Sequence, residues 1–260
     1  MISRTSTEPR PPKEERTILV EKYERLASAP LEDSCHYKGL RIHAVEGLHE
    51  YLLEKAKKHF QKNGFILDLA CGTGAFSLRL REVGFDVAAC DVVTNNFRLH
   101  GSVSFVKADL NGCFSDLFEK PFDGIVACEI IEHLENPRSF LRECKKLLRP
   151  GGAMILTTPN IDNPVSKASF LRDGTYMWYL DADYVNEGHI MPISQWLLKK
   201  CISESGLQLT WLGTYGDPFV YTRNWWKIRL FARFIQLFSK ADKNLDGEIL
   251  VMVVRRNDAD

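Results

Sequence analysis

Phe65-Ile66-Leu67-Asp68-Leu69-Ala70-Cys71-Gly72-Thr73-Gly74-Ala75-Phe76-Ser77 reads as an apolar strand that runs into a two-glycine turn and then into a helix. Gly72 and Gly74 lack a Cβ, so the backbone there can turn sharply and approach a ligand, and the first N–H groups of the following helix point into the same space. This is the pattern of a nucleotide-type cofactor loop. A dinucleotide site would place a third glycine three residues after the second, and position 77 is Ser, so the pyrophosphate fingerprint is incomplete. Asp68, inside the strand, would repel a pyrophosphate but can hold an amino group, which suits the methionine end of S-adenosylmethionine better than a nicotinamide cofactor.

Two further strands end in acids. Asp86-Val87-Ala88-Ala89-Cys90-Asp91 brings a carboxylate to a strand end about twenty residues past the glycines, where a ribose hydroxyl pair needs an acceptor. Val103 to Leu110 forms a third strand, after which Asp109 can accept from an adenine amine with Leu110 against the ring. In an open parallel sheet the ligand lies across the carboxyl ends of the strands, and one cofactor along that edge would meet all three acids.

Together with Phe122-Asp123-Gly124-Ile125-Val126-Ala127-Cys128-Glu129-Ile130-Ile131-Glu132-His133-Leu134 and Leu148-Arg149-Pro150-Gly151-Gly152, these residues resemble the class I S-adenosylmethionine-dependent methyltransferases over roughly positions 38 to 256. The resemblance is to the ubiquinone-pathway O-methyltransferase-like subgroup, which includes enzymes of sugars and small metabolites. It implies an α/β, Rossmann-like, seven-stranded mostly parallel sheet with helices on both faces and a reversed C-terminal hairpin. It also implies that S-adenosyl-L-methionine is held by Asp68, Ala70, Gly72, Gly74, Asp91, Val92, Asp109, Leu110 and Glu129. The span from Asp91 to Val103 is too short for a full second helix, so the adenine side is expected to be open.

Glu129-Ile130-Ile131-Glu132-His133 falls where the fourth strand ends, and a turn of helix there can aim two carboxylates and an imidazole into one pocket. With His189, a Glu129, Glu132, His133 and His189 quartet suits Mg2+ or Mn2+, and the pattern resembles the metal site of small-RNA 2′-O-methyltransferases. Without a metal, His133 or His189 can take a proton from an acceptor hydroxyl, and Glu132 is counted with them as a catalytic candidate.

Lys plus Arg and Asp plus Glu both number 34, so no global basic field draws in nucleic acid. The seven cysteines show no CxxC spacing and read as reduced core thiols. No apolar run approaches the roughly 20 residues of a membrane span and there is no signal-peptide core, so a cytoplasmic location is expected.

Residues 1–17, with Pro9, Pro11 and Pro12, read as a disordered tail, and 18–260 as the methyltransferase domain. Helical spacing is read over Glu14 to Ala27, Leu40 to His59, from Asn136-Pro137 to Leu148, and over Ile193 to Ser205; strands are read over Ala153 to Thr158, Leu207 to Thr214 and Glu248 to Arg255. Substrate or lid insertions are expected at 160–192, rich in aromatics, and at 221–243. In the second, Trp225 to Lys240 reads as an amphipathic helix with an uncovered aromatic face and basic flanks, fit for peripheral membrane contact or a greasy substrate. The leading expectation is O-methylation of a small-molecule hydroxyl, lipid-linked or on a sugar. The alternatives are an RNA 2′-O-methyltransferase, which the charge balance disfavours, and an inactive cofactor-binding scaffold, which the intact glycine loop disfavours.

Overall fold

The computed structural model describes residues 35–239 and 242–257. The expected tail and the 14–27 helix lie outside them, as does Lys240. A hairpin of β1 (His36–Tyr37) and β2 (Leu40–Arg41) precedes one sheet of seven strands: β3 (Phe65–Leu69), β4 (Asp86–Asp91), β5 (Ser104–Lys107), β6 (Phe122–Ala127), β7 (Leu148–Pro159), β8 (Leu207–Tyr215) and β9 (Ile249–Arg256). Their order is β5-β4-β3-β6-β7-β9-β8. All pairings are parallel except those of β9 with β7 and β8, so the reversed strand is the last one, as expected.

The helices are α1 (Leu48–His59), α2 (Ala75–Glu82), α3 (Pro137–Leu147), α4 (Pro164–Asp173), α5 (Asp181–Asn186), α6 (Gln195–Glu204) and α7 (Trp226–Phe238). Strand pleating sends successive side chains to opposite faces. In β9, Leu250, Met252 and Val254 join α3 and α6 in one core, whereas Ile249, Val251 and Val253 join α1 and α2 in the other. Both faces of the sheet are buried, which is why β9 is a continuous apolar run.

The helix expected from Leu40 begins only at Leu48. Leu40 and Arg41 are strand, and Gly47 breaks the pattern with φ +78; a Cβ there would lie 2.2 Å from the Tyr215 hydroxyl, which donates to the Glu46 carbonyl. Between β4 and β5 there is a single 3-10 turn, Thr94–Asn96, followed by buried Phe97, which stacks on Phe105. Within 160–192 and 221–243, α4 and α7 pack on each other through a separate small core of Val165, Ala168, Phe219, Ile228 and Ala232. No helix among the described residues is long and apolar enough to cross a membrane.

Candidate active site

The carboxyl ends of β3 to β7 open into a cleft of about 620 Å³. Ala70, Gly72, Asp91, Val92, Asp109, Leu110, Glu129, His133 and His189 all line it. The glycine loop is built as a turn: the Gly74 N–H donates to the Cys71 carbonyl, and Gly74 (φ +89) caps α2 where a Cβ would lie 2.9 Å from the Phe97 ring. Gly74 therefore shapes the loop from outside the cleft lining. Asp91 closes the loop from the neighbouring strand, its Oδ2 accepting from Gly72 N–H at 2.9 Å and its Oδ1 from Val93 N–H at 2.8 Å. Each carboxylate oxygen has a second lone pair, so ribose hydroxyls fit there. Burial raises the Asp91 pKa, against those backbone donors.

Asp68 departs from the expectation of a direct contact with the cofactor's amino group. The pleat turns it to the same face as Ile66, toward α2, where its Oδ2 accepts from Ser77 Oγ at 2.5 Å; it is 2% exposed and does not line the cleft. Burial pushes its carboxyl up to about 7, with Ser77 pulling the other way and Asp91 adding to the rise. Asp109 spends one oxygen on the Asn111 N–H.

Past β6 the chain makes a left-handed step at Glu129 (φ +51) and then a 3-10 turn, Ile131–His133. The expected quartet becomes a triad. Ligand atoms of Glu132, His133 and His189 lie within 4.8 Å of one another, and Glu129 is not in that group. The reason is the left-handed step, with two consecutive threonines of β7 dividing the acids. Thr157 Oγ1 takes the Glu129 N–H at 2.9 Å and donates to Glu129 Oε1 at 2.8 Å, whereas Thr158 Oγ1 donates to Glu132 Oε2 at 3.0 Å.

Glu132 is 0% exposed, its Oε1 has no hydrogen-bond partner among the described residues, and that oxygen sits 3.9 Å from His133 Nε2. Burial, then the charge of Glu129, raises its pKa well above the usual carboxylate range. Glu129 is pushed up to about 7 by burial, with Thr157 opposing and Glu248 adding to it. His133 Nδ1 lies 3.2 Å from the Gly188 carbonyl and His189 Nδ1 lies 2.6 Å from the Trp178 carbonyl. A carbonyl only accepts, so in the neutral rings both Nδ1 atoms carry the proton and both Nε2 atoms the lone pair. The two rings meet edge to face at 4.9 Å.

Several lining residues escaped the sequence reading. His43, which lines the cleft, lies in the stretch read as the helix from Leu40. Trp178, one of the aromatics of 160–192 expected to form a pocket wall, does line the cleft and meets Tyr221 edge to face at 5.2 Å; Trp178 has φ +70 and a buried indole N–H with no partner among the described residues. Thr157 and Thr158 were legible only as strand residues.

This edge-on cleft on a seven-stranded sheet with a reversed last strand is that of a class I S-adenosylmethionine-dependent methyltransferase. The chain belongs to the methyltransferase domain family, whose model matches residues 37–211. It is 30% identical over 126 residues to a ubiquinone biosynthesis O-methyltransferase of Caulobacter sp. strain K31, covering 42% of this chain and 50% of that protein. A namesake from Cereibacter sphaeroides is 33% identical over 129 residues, covering 44% and 52%. The chain thus matches about half the length of these relatives. Among solved structures, an S-adenosylmethionine-dependent methyltransferase from Archaeoglobus fulgidus is similar with a TM-score of 0.56 at 18% identity, covering 80% of this chain and 94% of that one. The N-methyltransferase NodS from Bradyrhizobium japonicum WM9, solved with S-adenosyl-L-homocysteine, gives 0.56 at 16%, covering 91% and 97%. At such identities these two share the fold alone.

Proposed function

We propose that the protein transfers a methyl group from S-adenosyl-L-methionine to a hydroxyl oxygen of a small molecule, with a divalent ion at Glu132, His133 and His189. The observation that carries this reading is the triad itself: a buried carboxylate oxygen without a partner beside two imidazoles whose Nδ1 protons are each turned to a backbone carbonyl. Such carbonyls fix ring orientation and leave Nε2 as the basic atom. One carboxylate and two imidazoles form a mixed donor set that suits Mn2+ better than the harder Mg2+.

When bound, S-adenosyl-L-methionine supplies an electrophilic methyl group. Asp91 and the Ala70–Gly72 turn would orient its nucleoside, and Asp109 with Leu110 would border the base. A divalent ion at the triad would lower the acceptor hydroxyl's pKa and hold its oxygen in line. Thr158 keeps Glu132 aimed, and Thr157 holds Glu129 at the inner wall. In the absence of an ion, His189 or His133 Nε2 would take the acceptor's proton.

The cleft lining sets six carboxylates (Asp91, Asp109, Glu129, Glu135, Asp183 and Glu187) against the single guanidinium of Arg41. That balance opposes a nucleic-acid backbone as acceptor and leaves an uncharged hydroxyl compound as the better fit. The ubiquinone-pathway relatives lend support to oxygen as the acceptor atom. Trp178 and Tyr221 at the cleft favour an acceptor with an apolar, even lipid-linked, body.

Calorimetry with Mn2+ and, separately, with S-adenosyl-L-homocysteine tests the assignment. Glu132→Gln should abolish Mn2+ binding while leaving the affinity for S-adenosyl-L-homocysteine within about twofold. Absence of Mn2+ binding by the wild type would remove the ion and leave the histidines as bases.

A further inference from the structure

Helix α7 presents two opposite stripes. Ile228 and Ala232 are buried against α4, with Ile235 packed beside them. Trp226, Leu230, Phe234 and Leu237, spaced to share one helical face, are 66%, 65%, 56% and 74% exposed. Soluble surfaces scatter single apolar groups, but a stripe of four on one helix is a docking face. Its charge is equally one-sided: Arg223, Lys227, Arg229 and Arg233 are all exposed, and no acid occurs between Asp217 and Asp242, in a chain whose net charge is zero.

We propose that this face docks on an anionic phospholipid bilayer, with Trp226, Leu230, Phe234 and Leu237 entering the headgroup and upper acyl region and the four cations meeting lipid phosphates. A helix lying in the interface needs this combination of an apolar face and basic flanks. A second copy of the chain fits worse, because a two-fold contact would set these cations against themselves. The face is continuous with the cleft through Tyr221, which lines the cleft and lies in the short turn just before α7. Docking would therefore bring the cleft mouth to the membrane surface and favour an acceptor that resides in the bilayer. That consequence for the substrate rests on the methyl-transfer reading, whereas the docking does not.

Co-sedimentation with phosphatidylglycerol/phosphatidylcholine vesicles and with phosphatidylcholine alone tests it without any methyl transfer. The wild type should pellet with the anionic vesicles at low salt, be released at high salt, and stay in solution with the neutral ones. Trp226→Ser with Leu230→Ser and Leu237→Ser should lower the partition at least tenfold. Lys227→Gln and Arg229→Gln should each lower it about fivefold, from about 1 kcal/mol per cation near the surface. Unchanged affinity for S-adenosyl-L-homocysteine in these variants would show that the fold is retained. Equal binding to neutral vesicles, no binding at all, or a wild-type dimer in ultracentrifugation that the triple variant turns into a monomer would each overturn the proposal.

Discussion

At the scale of single residues, the site is built from backbone conformations that ordinary side chains avoid. Ala70 (φ +54) and Glu129 (φ +51) occupy the left-handed region just past the ends of the adjacent strands β3 and β6, and both line the cleft. Such positions cost about 1–2 kcal/mol each for a residue with a Cβ and persist only where the surroundings hold them. Here Thr157 clasps Glu129 from both its N–H and its carboxylate. Asp91 is the residue whose loss should be read most directly in cofactor affinity, because it both holds the glycine turn and has lone pairs left for a ribose. Asp91→Ala is expected to weaken S-adenosyl-L-homocysteine binding by about 1–3 kcal/mol, roughly 5- to 150-fold by calorimetry.

Among the elements, two helices start with the same Asn-Pro signature and differ in burial. Asn136 caps α3 by accepting from the Ser139 N–H at 3.0 Å and is exposed. Asn163 caps α4 by accepting from the Ser166 N–H at 2.8 Å and also donates to the Asn160 carbonyl at 2.6 Å, at 0% exposure. Asn136→Ala should cost about 1 kcal/mol, the ordinary value of a cap. Asn163→Ala should cost more, about 2–3 kcal/mol, because a buried N–H loses its partner and the Asn160 carbonyl keeps only the long 3.4 Å bond from the Asn163 N–H. Denaturant titration of both variants checks the order. Asn160 itself donates to the carbonyls of Leu245 and Gly247, so damage at Asn163 reaches the chain leading into β9.

For the whole molecule, the sheet buries a set of carboxyl groups whose charge the folded state resists. Asp68, Glu129 and Glu248 are each raised to about 7, chiefly by burial. In the unfolded chain they would titrate near 4. Between those values the folded state binds more protons than the unfolded one, so these groups make stability fall as pH rises from about 4 to about 7 and contribute nothing further above that. His49, buried and held neutral with a pKa near 4, acts in the opposite sense below its unfolded value of about 6.5. Above about pH 6.5 the fall from the carboxyl groups outweighs the remaining histidine titration, so the ligand-free protein should melt at a lower temperature at pH 8 than at pH 6.5. A cation at the proposed triad would lie nearest Glu129 of these three, whose charge acts on Glu132, and would favour its ionised form, so saturating Mn2+ should lessen that slope. Melting curves over pH 5 to 8, with and without Mn2+, check both signs.

The sequence by itself determined what rests on local pattern. The glycine turn after an apolar strand, Asp91 about twenty residues on, the Asn136-Pro137 helix start and the apolar run of β9 depend on spacing and on intrinsic backbone preference, which a linear chain displays. The exposed stripe of α7 was legible too, because amphipathic spacing is periodic. Only the tertiary structure decided where polar side chains point. The pleat sends Asp68 to Ser77, the clasp of Thr157 and Thr158 parts Glu129 from Glu132, and Gly188 and Trp178 orient the two histidines. It also decided that Leu40 to Glu46 wraps the cleft instead of joining α1, because Gly47 must leave room for Tyr215 more than 160 residues away. Contacts between residues so distant along the chain depend on how strands pair and helices pack, and no local pattern encodes them.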